Sequence, residues 1–124
     1  MKKLLLTALL CFSINGFAYK WEKFRENSVA DIYIDVENLN KNNGIVYIWT
    51  LADSYKPWMG FSSIISKKKV DCVEGKVTIL NITHYSESMG RGKIMYDRYP
   101  NTFTYPKPDQ IGYPDMKFAC DNAK

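Results

Sequence analysis

The stretch SSIISKKKVDCVEGKVTILNITHY, residues 62–85, decides the fold. It reads as two β-strand candidates, residues 62–73 and 76–85, folded back at Glu74-Gly75. On a strand, neighbouring side chains point to opposite faces. If Cys72 points inward, Val70, Lys68, Ser66 and Ile64 share its side, and Lys67 and Lys69 project outward, joined by Lys76 across the turn. In the return strand Val77 and Ile79 share one parity and Leu80 and Ile82 the other. That switch marks either a β-bulge or a strand buried on both sides.

Working outward, residues 21–25 read as an edge strand, and residues 31–36 alternate cleanly. There Ile32, Ile34 and Val36 face one way, and Asp31, Tyr33 and Asp35 the other. A polar segment ends in the turn signal Asn43-Gly44. Residues 45–51 are apolar on both parities, as in a central strand covered on both faces, with Trp49 in the core. Residues 53–60, with Pro57 and Gly60, read as a loop. Residues 86–92 form a second turn, followed by strands at 93–97 and 102–105. Pro106, Pro108 and Pro114 then forbid further pairing. Pro114 suits the first turn of a short helix, which puts Met116, Ala119 and Cys120 on one face. The expected fold class is α+β, mainly β: an antiparallel sheet of about six strands with a short C-terminal helix brought onto the middle of the sheet.

Residues 1–18 read as a secretory signal peptide, with Lys2 and Lys3, an apolar run from Leu4 to Phe12, and small residues at Gly16 and Ala18. The apolar run is short for a membrane span. A rival reading, a lipoprotein acylated at Cys11, puts Leu10 where a small residue normally stands. Cleavage before Tyr19 leaves one domain, residues 19–124, and no transmembrane segment in the mature chain. The expected location is the periplasm or the outer-membrane surface. In an exported chain Cys72 and Cys120, 48 residues apart, favour one disulfide, against the alternative of two buried thiols. Removing Lys2 and Lys3 takes Lys plus Arg from 17 to 15 against 13 acids, too slight an excess for a nucleic-acid binder.

The inventory argues against an enzyme. The one histidine, His84, sits on a strand with no partner positioned in sequence, and both mature cysteines are assigned to the bridge. No glycine-rich loop opens a helix to cradle phosphate, so no cofactor is expected. Asp31 and Asp35 share a strand face but lack the alternating acids of a calcium loop; a solvated face is the simpler reading, and no metal site is expected. Tyr55, Trp58 and Phe61 either close over a sheet face, the simpler outcome, or form a partner surface. Lys67, Lys68, Lys69 and Lys76 form a basic stretch with two readings: a docking patch for an acidic partner, or protection of a strand against edge pairing.

The order of short motifs adds to this. Tyr33-Ile34-Asp35, Trp49-Thr50-Leu51, Ser62-Ser63, Cys72, Tyr85-Ser86, Met89-Gly90-Arg91-Gly92, Tyr105-Pro106 and Cys120 follow one another from about residue 31 to residue 120. In this the chain resembles the surface-adhesin protein E family of Gram-negative bacteria. The resemblance implies a sheet of about six strands with a disulfide-held C-terminal helix, a tendency to form homodimers, and binding of host extracellular-matrix or serum proteins. It places the adhesive region at residues 62–83, with Lys67, Lys68, Lys69 and Lys76. The chain departs from the family in having Phe103 and Tyr105 where a tryptophan often precedes the late proline, in a basic stretch of lysine without arginine, and at Cys11. A periplasmic interaction or inhibitor protein is the alternative function.

Overall fold

The computed structural model describes residues 18–124. The expected leader and Cys11 lie outside the described residues, apart from Ala18 at the end of that segment. The strands are β1 (Trp21–Glu26), β2 (Ala30–Asp35), β3 (Lys41–Asn42), β4 (Ile45–Trp58), β5 (Phe61–Asp71), β6 (Lys76–Tyr85), β7 (Ile94–Arg98) and β8 (Thr102–Thr104); the chain closes with helix α1 (Tyr113–Asn122). All pairings are antiparallel. Six strands run in the order β1-β2-β4-β5-β6-β7, while short β3 pairs with β4 and short β8 with β6. The expected sheet with one C-terminal helix is therefore the fold, and β1 is its edge.

The parity switch in β6 is a bulge. Lys67 pairs with Asn81 and Lys68 with Ile79, so Leu80 is the extra residue. Before it Val77 and Ile79 face the helix; after it Ile82 and His84 do. The main core lies between α1 and this face. Ile34, Val46, Ile48, Val70 and Val77 are buried there against Ala119, with Met116, Phe118 and the two cysteines packed around them.

Three devices hold α1 in place. Cys72 and Cys120 form the disulfide, with Cα atoms 5.7 Å apart. Cys72 lies just past the end of β5, a central strand, so the bridge ties the helix to the middle of the sheet as expected. Asp115, only 2% exposed, receives Arg25 from β1 at 3.0 Å and Lys68 from β5 at 2.7 Å. Lys41 of β3 donates from its ammonium to the Cys120 carbonyl at 2.8 Å, near the helix C-terminus, where a cation is favoured.

The other face is the more open one and is covered at one end. There the short 3-10 turn Ser88–Gly90 sits over Leu51 and Ile65. Ser63 Oγ donates to the Glu87 carbonyl and accepts from Gly90 N–H, and Asp53 accepts from Met89 N–H. A Cβ on Gly90 would stand 2.7 Å from Ile65 Cδ1, so the backbone approaches closely only because this residue is glycine.

Several expectations are corrected. Residues 53–58 are not a loop: they continue β4 as a long arm closed by a two-residue turn at Met59-Gly60. The register gains extra residues between Asp53 and Trp58, and this irregular stretch accommodates Pro57. Asp35 is buried, not solvated; it accepts from Lys20 N–H, Glu37 N–H and the Asn38 amide, so it caps the chain leaving β2. Trp49 lies half-buried on the open face, outside the main core, because Val46, Ile48 and Thr50 take the inward parity. Phe61 is buried, but Tyr55 and Trp58 remain exposed on the arm.

Closing a 48-residue separation makes the bridge a large contributor. Replacing Cys72 and Cys120 by Ala together is expected to lower unfolding stability by up to about 4 kcal/mol in urea titrations. An unchanged midpoint in the double variant would contradict that role.

Candidate functional site

The strand register assembles the open face. Tyr47, Lys69, Thr78 and Phe103 form one row across β4, β5, β6 and β8. Trp49, Lys67 and Asn81 form the next, and Asp71 pairs with Lys76 on the other side. Lys67 Nζ stands 5.0 Å from the Trp49 ring centroid and 5.6 Å from that of Tyr47. Lys76 Nζ stands 4.2 Å over Phe103, whose ring meets Tyr105 edge to face at 5.9 Å. These rings are well exposed: Tyr47 at 43%, Phe103 at 55% and Tyr105 at 53%.

Among the described residues, Lys67, Lys69 and Lys76 make no ion pair. The neighbouring acids are engaged elsewhere. Asp71 accepts from the Val73 and Glu74 amides in the β5–β6 turn. Asp97 accepts from Asn81 and Thr83, and these hydrogen bonds hold its carboxyl below the usual carboxylate range. A ring face fixes an ammonium without neutralising it, an attraction of about 0.5–1 kcal/mol at an exposed site. The face is therefore an array of cations without ion-pair partners among the described residues, two of them positioned over rings.

The four lysines of the basic stretch thus divide. Lys67, Lys69 and Lys76 come together on the open face. Lys68 points to the opposite face, where Asp115 holds it. Sequence reasoning missed Tyr47, Trp49 and Phe103 as partners of the lysines; the signal was cross-strand register, which only pairing reveals.

The arm carries different features. Tyr55 donates to Asp31 at 2.7 Å, which pushes the phenol up to about 12 and holds Asp31 low. Asp31 also pairs with Lys23 at 3.2 Å. Beside the arm, on the part of the helix side that α1 leaves bare, lies a trough of about 830 Å³ floored by Ile32, Ala52 and Ile64. His84 lines a neighbouring pocket with Trp58, Met59, Phe61, Met95, Tyr96 and Arg98.

Together these features define a class: a small antiparallel sheet with one face closed by a disulfide-held helix and the other presenting an array of cations and rings. That is the build of a binding protein. The sequence profile of surface-adhesin protein E matches residues 21–121, and the chain belongs to that family. Among solved structures, the selenomethionine form of Haemophilus influenzae protein E superposes with a TM-score of 0.63 at 17% identity, covering 87% of this chain and 91% of that one. Another structure of Haemophilus influenzae protein E gives a TM-score of 0.62 at 18% identity, covering 86% and 88%. At these identities the likeness is one of fold. No curated protein matches the chain by sequence.

His84 supplies a pH test. Burial, then the charge of Arg98, pulls its pKa below the ordinary 6.5. The unfolded chain therefore takes up the proton first as pH falls. Stability should decline as pH drops through about 6.5 and level off below the folded-state value. Urea titrations between about pH 8 and about pH 5 should show a shallower slope for His84→Gln than for the parent. Equal slopes would contradict the assignment.

Proposed function

We propose that this protein is an exported, non-enzymatic adhesin-like binding protein whose open sheet face docks an acidic protein partner, with host extracellular-matrix and serum proteins as the partner class. The observation that carries this reading is the array of Lys67, Lys69 and Lys76. Three ammonium groups share an exposed face without carboxylate partners among the described residues, two of them braced by rings. Protection against strand pairing explains lysine at a sheet edge. It does not explain this array, because β5 is interior, hydrogen-bonded on both sides by β4 and β6. Family membership supports the adhesive role. The leader of residues 1–18 supports export to the periplasm or outer-membrane surface. Among the described residues no helix is long and apolar enough to cross a membrane.

The second reading is a periplasmic interaction or inhibitor protein using the same face. It draws on Leu10 before Cys11, which disfavours a lipid anchor at that cysteine. Protease treatment of intact cells separates the two: digestion with a periplasmic control spared favours adhesion, and protection favours the periplasmic role.

Changing Lys67, Lys69 and Lys76 to Glu together reverses the charge of the face without touching the core. The triple variant is expected to keep its unfolding midpoint within about 1 kcal/mol of the parent and to lose binding to immobilised matrix and serum proteins. Unchanged binding would remove the site assignment.

A further inference from the structure

The pocket beside His84 has a composition that neither the core nor the lysine face requires. It measures about 470 Å³ and brings Met59, Met95 and His84 together with the rings of Trp58, Phe61 and Tyr96. Both thioethers are placed there by irregular backbone. Met59 is the first residue of the two-residue turn, at φ 50°, followed by Gly60 at φ 84°. That left-handed position normally takes Asn, Asp or Gly, and a long side chain is retained there at a conformational cost. Met95 is the extra residue where β7 slips against β6: His84 pairs with Tyr96 and Tyr85 with Ile94. Bulges re-aim side chains, and here the Met95 methyl comes within 3.8 Å of where a Gly60 side chain would begin. Both sulfur-bearing chains thus line the pocket at the arm's tip.

His84 supplies the third donor. Its Nδ1 is buried and has no hydrogen-bond partner. Such orphans are rare in folded proteins and call for an explanation. The ring is fixed edge-on by Phe61 at 4.5 Å and flanked by Tyr96 at 5.6 Å.

We propose that Met59, Met95 and His84 form a binding site for a soft monovalent cation, Cu(I) or its chemical analogue Ag(I). Two thioethers and one imidazole are the donors that such an ion selects. Harder ions lack ligands here: no carboxylate lines the pocket, and no group of three His, Cys, Asp or Glu suited to a metal occurs among the described residues. Both described cysteines are held in the disulfide, which leaves thioether as the available sulfur chemistry. Arg98 also lines the pocket; its repulsion on a divalent ion is double that on a monovalent one. The indole of Trp58 offers the ion a π-face. Met59 is 78% exposed and Met95 50%, so the two outer ligands can rotate onto an ion approaching from solvent, with His84 behind them.

The test uses silver nitrate in chloride-free buffer, added to protein labelled at the methionine methyls. Saturable one-to-one binding is expected, with the Met59 and Met95 methyl resonances shifting while Met89 and Met116 stay in place. Changing Met59 and Met95 to Leu together keeps volume and removes sulfur, and should weaken Ag(I) binding about a hundredfold. His84→Gln should weaken it about tenfold while the two methyls still shift. Zn(II) should move none of them. Isoleucine and valine methyls labelled in the same sample, at Ile34 and Val46 of the core, report whether each variant is folded. No shift at about tenfold excess of Ag(I), equal shifts of all four methionines, or a folded double variant that binds like the parent would each overturn the site.

Discussion

The carboxylate of Asp115 holds the architecture together. It is buried between a guanidinium on the edge strand β1 and an ammonium on the interior strand β5, so one side chain of α1 spans the sheet from its margin to its centre. A buried charge is tolerated only when paired, and removing one partner from such a set typically costs about 3–5 kcal/mol. The triad therefore specifies which face the helix covers. The disulfide fixes the other end of α1, and Lys41 closes its last turn. With the helix committed to one face, the opposite face is the more open one, covered by the Ser88–Gly90 turn over Leu51 and Ile65 and by the chain leaving β2 over Asp35.

The division of the lysine run follows directly. Strand alternation sends Lys68 to Asp115 and its neighbours Lys67 and Lys69 to the open face. The bulge at Leu80 lets β6 change parity midway, so Val77 and Ile82 both face inward while Lys76 and Thr83 both face outward. Without that extra residue, one half of β6 would turn its apolar side chains to solvent. A one-residue irregularity thus preserves both the core and the cationic face.

Much of this was legible in the chain. The alternation of residues 62–73 and the parity switch at Ile79-Leu80 require only period-two geometry, and the cysteine pairing follows once Cys11 is set aside with the expected leader. Pro114 and the spacing of Met116, Ala119 and Cys120 located the helix and its inner face. Long-range pairing decided the rest. Asp115 sits 90 residues from Arg25 in sequence and looks like any acid in a helix's first turn. Asp35 looks solvent-facing by parity, yet the chain leaving β2 folds over it. Residues 53–58 carry turn-like composition, but β2 and β5 pair with parts of this stretch and draw it into the sheet. A strand apolar on both parities puts Trp49 in the core; register instead sets it beside Lys67.

The central claim is that the sheet face opposite the helix is the recognition surface. Lysine-selective acylation read by mass spectrometry tests it directly, comparing free protein with protein bound to immobilised matrix or serum proteins. Lys67, Lys69 and Lys76 should be reactive in the free protein and protected in the bound state, Lys117 on the helix should react equally in both, and Lys68, held by Asp115, should stay unreactive throughout. Protection of Lys117 with the three open-face lysines still reactive would contradict the claim.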